Sequence, residues 1–168
     1  IVFLEFVIDP ACSIVFEAER SEEDAMRRAP RDPAEPLFSG AMLAASLLAG
    51  VALLATVALA YGWAVGAGRS EPEARALGFA AIVFGNLALI LASRSRERTI
   101  LASLRRPNPA FWWIVAGTLA ALAGAIYVPP AAQVFRFAPL GVPELLVALG
   151  AGVPGVLAFD ALRRAWRG

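Results

Sequence analysis

The chain has no histidine and no lysine, so all fifteen of its basic residues are arginines. Without histidine there is no imidazole metal site and no imidazole general base in this sequence. A single cysteine, Cys12, excludes an internal disulfide and any cysteine-rich zinc site. No glycine-rich phosphate loop, coiled-coil heptad or repeat with a period of about 20 to 50 residues stands out. Nothing points to nucleic-acid binding.

What fills the chain instead is apolar sequence in long uncharged runs: 59% of the 168 residues are hydrophobic and the mean hydropathy is +0.66. That is the composition of a membrane protein. A hydrocarbon core of about 30 Å needs roughly 20 apolar residues per helix. The runs fall at 1–16, 37–65, 76–93, 110–128 and 145–162, separated by segments that hold nearly all of the charge. The expected fold is all-α, a polytopic transmembrane bundle of five spanning helices forming a single domain over 1–168. Asn86 is the strongly polar residue of the third span, and Gly150, Gly152, Pro154 and Gly155 predict a kink midway through the last. Trp112, Trp113 and Tyr127 sit where an aromatic belt is expected. The chain opens with Ile inside an apolar stretch, which reads as a fragment of a larger transporter.

Arginine placement orients the bundle. The connections at 18–36 and 94–109 and the tail after 162 hold twelve arginines, against three in the connections at 66–75 and 129–143. Arginine-rich connections stay cytoplasmic, so the C-terminus is expected there, in a cell membrane. The arginine-only basic set with abundant Ala and Gly is a compositional sign of a bacterial source.

Within the first span, Glu5 and Asp9 lie one helical turn apart, and Pro10 has no N–H to offer the carbonyl of Phe6. With a rise of 1.5 Å per residue, Asp9 stands roughly 12 Å and Glu5 roughly 18 Å from Glu17, astride the midplane if Glu17 marks the membrane edge. Two carboxylates in hydrocarbon need a counter-charge, and no span contains an arginine to supply it. The oxygens of Glu5, Asp9 and Phe6, with Asn86 from a neighbouring helix, suit a hard cation or a proton: Ca²⁺, Na⁺, K⁺, Mg²⁺ or H⁺. An ion-coupled secondary transporter and a structural membrane domain remain alternatives on these residues alone.

Glu5-Phe-Val-Ile-Asp9-Pro10, followed by Met26-Arg-Arg28-Ala-Pro30-Arg31-Asp-Pro33-Ala-Glu35-Pro36-Leu37, resembles the sixth membrane helix and following loop of P-type cation-transporting ATPases. Ala74-Arg75-Ala76-Leu77, Asn86 and Phe135-Arg136-Phe137-Ala138-Pro139-Leu140 are similar to the pattern of that family's last helices. The resemblance implies helices six to ten of a ten-helix transport domain, with Asp9 and Glu5 at ion-ligand positions and Asn86 near another. It also implies partners: the lipid bilayer, the preceding membrane helices, and cytoplasmic domains that bind ATP and Mg²⁺ and face the 18–36 connection. The phosphorylation and nucleotide-binding segments have no counterpart here, so this stretch should not hydrolyse ATP alone.

Overall fold

The computed structural model describes residues 13–19, 40–94 and 108–165, with positions 41, 42, 45 and 154–165 described as backbone alone. The helices are α1 (Gly40–Gly66), α2 (Glu71–Ser93), α3 (Pro109–Tyr127), α4 (Pro129–Phe135) and α5 (Val142–Ala165). Residues 13–17 form a further helical turn, and no strand occurs among the described residues. α1, α2 and α3 each contain a stretch long and apolar enough to cross a membrane. At the helical rise they measure roughly 40, 35 and 28 Å. The chain is an all-α bundle.

Helix ends are set by local chemistry that hydropathy does not register. α1 stops where Gly68 takes φ +72, and the Arg69 N–H then reaches back to the Ala64 carbonyl at 3.0 Å. A residue with a Cβ would be strained there, whereas glycine is not. α2 begins at Glu71 rather than at residue 76, because Ser70 and Glu73 form a reciprocal capping box and Pro72 fits the first turn. The connection between α1 and α2 is therefore residues 67–70, much shorter than the expected 66–75. The expected loop at 129–143 likewise contains α4, started by Pro129 and Pro130 and ended by Arg136 at φ 53. α5 is helical from Val142 to Ala165, through Gly150, Gly152, Pro154 and Gly155.

α2 is the central element, in contact with α1, α3 and α5. Its buried face is rich in small residues: Ala74, Ala76, Gly78, Ala80, Ala81 and Gly85 are all buried, beside Leu77, Val83 and Ile90. Small residues let helix backbones approach closely, the usual basis of helix association in lipid. The closest approach joins Gly85 of α2 to Gly152 of α5. A Cβ on Gly152 would lie 2.6 Å from the Ala81 carbonyl oxygen and 2.8 Å from the Gly85 nitrogen. α1, by contrast, leaves Leu43, Leu47, Val51, Leu54 and Leu59 exposed.

Candidate functional site

Asn86 follows Gly85 at the crossing of α2 with α5, half-buried in the middle of its helix. Its Nδ2 donates to the Ile82 carbonyl at 3.0 Å, one turn back. That bond occupies the donor end of the amide within its own helix. The oxygen is the end suited to a cation or an interhelical donor. Glu5, Phe6 and Asp9 lie outside the described residues, as do Cys12 and the arginine-rich stretch at 95–107. Among the described residues no group of three or more His, Cys, Asp or Glu side chains is placed to hold a metal ion.

Four residues that the sequence reading did not assign to a site converge where the first segment ends. The helical turn over 13–17 finishes with the Glu19 N–H bonded to the Phe16 carbonyl rather than to Val15. The Val15 carbonyl is thereby released from the helical ladder. Asn108 takes it up, donating from Nδ2 to the Val15 oxygen at 3.2 Å and to Glu19 Oε2 at 2.9 Å. The other end of the same amide caps α3, its Oδ1 accepting from the Phe111 N–H at 3.0 Å.

Arg94, one residue past α2, closes the cluster. Its Nε donates to Glu19 Oε2 at 2.8 Å and its Nη2 to Oε1 at 3.4 Å. This two-pronged geometry is the strong form of a carboxylate–guanidinium pair. The guanidinium carbon lies 4.9 Å from the Phe111 ring centre, and only 1% of the Arg94 side chain is exposed. Val15, Ile90 and Phe111 form a separate small apolar core beside it. The ends of three elements are thus tied by one shielded ionic knot. One signal for it was legible: Asn108-Pro109 is a helix-start pattern. The partners of Arg94 and Glu19 were not, being 75 residues apart in sequence.

A second ion pair, Arg69 with Glu144, fastens the opposite end of the bundle, and there the carboxylate rather than the arginine is the shielded partner. Beside it the Tyr127 hydroxyl donates to the Leu140 carbonyl at 2.6 Å, so the tyrosine expected in an aromatic belt also ties α3 to the segment before α5.

Residues 1–165 match the family described as "Cation transporting ATPase, C-terminus". The chain belongs to that family: it is the C-terminal membrane domain of a cation-transporting P-type ATPase. It is 25% identical over 167 residues to the mouse calcium-transporting ATPase type 2C member 2, covering 99% of this chain and 18% of the relative. It is 28% identical over 167 residues to the probable cation-transporting ATPase F of Mycobacterium tuberculosis, covering 96% and 18%. With a calcium-transporting ATPase of Listeria monocytogenes it shares 25% identity over 166 residues, covering 97% and 18%. The domain therefore spans less than a fifth of the length of these relatives. Within this ATPase domain, α2 carries Asn86 and the shielded knot joins α2 and α3 to the segment that follows the two carboxylates.

Proposed function

We propose that this domain forms part of the transport site of an ATP-driven cation pump, with Glu5, Asp9, the Phe6 carbonyl and Asn86 as oxygen ligands. The observation that carries the proposal is the tie between Glu19 and Arg94 at 2.8 Å. Asp9 lies ten residues before Glu19, and Asn86 eight before Arg94. On continuous helices these are rises of roughly 15 and 12 Å, which would put the two side chains at similar depth. Carboxylate and carbonyl oxygens at one level are a fitting donor set for a hard cation. With the cation absent, two neighbouring carboxylates favour holding a proton, so proton counter-transport accompanies the proposal. The arginine distribution supports an orientation with the knot and the C-terminus on the cytoplasmic side.

In the intact pump, Asp9→Asn should abolish cation-dependent phosphoenzyme formation, and Glu5→Gln should raise the cation concentration needed. Wild-type cation dependence in Asp9→Asn would refute the assignment. Uptake that proceeds without ATP and is coupled to a proton or Na⁺ gradient would point to a secondary transporter.

A further inference from the structure

We propose that Arg94 and Asn108 are positioning residues that lock the axial register of the first segment against α2 and α3, and that this register sets cation affinity. The inference rests on the transport reading given above, but the contacts that carry it are separate from the proposed ligands. Arg94 and Asn108 both grip the end of the first segment, one at the Glu19 carboxylate and the other at Glu19 and at the Val15 carbonyl. Asn108 is 1% exposed and Arg94 7%. Each is rooted in another element: Arg94 directly follows α2, and Asn108 caps α3.

The geometry opposes axial sliding. A shift of the first segment by one residue, about 1.5 Å, would carry the Val15 carbonyl and the Glu19 carboxylate out of hydrogen-bond reach together. Val15 is also fully buried in the small core with Ile90 and Phe111, so its apolar contacts would be lost in the same movement. The amide of Asn108 cannot follow without uncapping α3. The segment that continues from Glu19 into residues 20–39 is the connection rich in charge and proline. A displacement of that connection reaches the first span through Glu19, and the knot determines whether the span moves alone or together with α2 and α3.

The test uses the full-length pump in membranes and reads two quantities. The first is the half-saturating concentration of the transported cation in phosphoenzyme formation, measured for wild type, Arg94→Gln, Arg94→Lys and Arg69→Gln. Arg94→Gln is expected to raise it about tenfold while the maximal phosphoenzyme level per folded protein is kept. Arg94→Lys, which keeps the charge but not the two-pronged geometry, should fall between. Arg69→Gln breaks the ion pair at the opposite end of the bundle and should leave it unchanged. An unshifted Arg94→Gln, or an equal shift in Arg69→Gln, overturns the inference.

The second quantity is the yield of a short bifunctional thiol cross-link between Val15→Cys and Ile90→Cys, with other cysteines replaced. It should drop severalfold on adding Arg94→Gln, and an unchanged yield overturns the register lock. Wild type that forms phosphoenzyme without any cation dependence removes the transport reading and with it the claim on affinity, whereas loss of the cross-link in Arg94→Gln still supports the lock.

Discussion

Asn108 divides one amide among three partners: its oxygen caps α3, and its nitrogen holds a released carbonyl and a carboxylate. Replacing it separates these roles. Asn108→Ala removes the cap, worth about 1 kcal/mol, and leaves the shielded Val15 carbonyl without its side-chain donor, at about 1–3 kcal/mol, while Glu19 Oε2 keeps Arg94. Asn108→Asp keeps a good cap acceptor. It also sets a second carboxylate against Glu19 Oε2, which Nδ2 of the native residue meets at 2.9 Å. If capping were the main contribution, Asn108→Asp would be harmless. The contacts predict the reverse: Asn108→Asp should be at least as destabilising as Asn108→Ala, and its deficit should shrink as the pH is lowered through the carboxylate range. The midpoint of thermal unfolding in detergent, measured across pH, checks both the order and the sign. Arg94 is the companion case: removing one member of a buried ion pair costs about 3–5 kcal/mol in soluble proteins, and because Asn108 still donates to Glu19 the loss in Arg94→Gln should fall below that range.

At the scale of elements, α2 and α5 are held by what their crossing lacks. Gly152 has no space for a methyl group: the Ala81 carbonyl oxygen and the Gly85 nitrogen would lie 2.6 and 2.8 Å from it, and both are backbone atoms that cannot rotate away. Gly152→Ala should therefore force the helices apart and lower stability by about 1–3 kcal/mol, the usual cost of overpacking. Gly124 in α3 has nothing within 4 Å of the same added atom. Gly124→Ala should be neutral or stabilising by up to about 1 kcal/mol through helix propensity. Equal effects of the two substitutions on the detergent melting midpoint would contradict the close crossing. The hydropathy pattern was sufficient to locate α1, α2, α3 and α5, because a chain that must satisfy its backbone in lipid has few other choices than helices. It missed five residues of α2 and the whole of α4. Those depend on Ser70, Glu73, Pro129 and Pro130, whose capping and ring geometry act over a few residues and leave the apolar average almost unchanged. Gly152, one of the residues from which a kink was expected, also serves close approach to α2, a role that the helix pattern did not announce.

At the scale of the whole molecule, two ion pairs that join different elements lie at opposite ends of the bundle: Glu19–Arg94 beyond the C-terminus of α2, and Arg69–Glu144 beyond its N-terminus. That Glu5, Asp9 and the Phe6 carbonyl freed by Pro10, all outside the described residues, make a candidate ligand set could be read from spacing alone. The knot that joins their segment to α2 could not, because its bonds link positions 75 and 89 residues apart and no periodicity reports such a pairing. Spacing and charge count do make a claim about the bundle as a unit, namely its direction across the membrane. Twelve arginines flank the Glu19–Arg94 end and three flank the other, and arginine-rich connections resist translocation. Ala67 and Ser93 are both exposed, one in the turn between α1 and α2 and the other at the C-terminal end of α2. In intact cells a membrane-impermeant maleimide should label Ala67→Cys directly. Ser93→Cys should react only after the membrane is opened. Labelling in the reverse order would invert the bundle and place the Glu19–Arg94 knot, with the connection that follows it, on the side without ATP, which would remove the route from ATP hydrolysis to the cation site proposed for this domain.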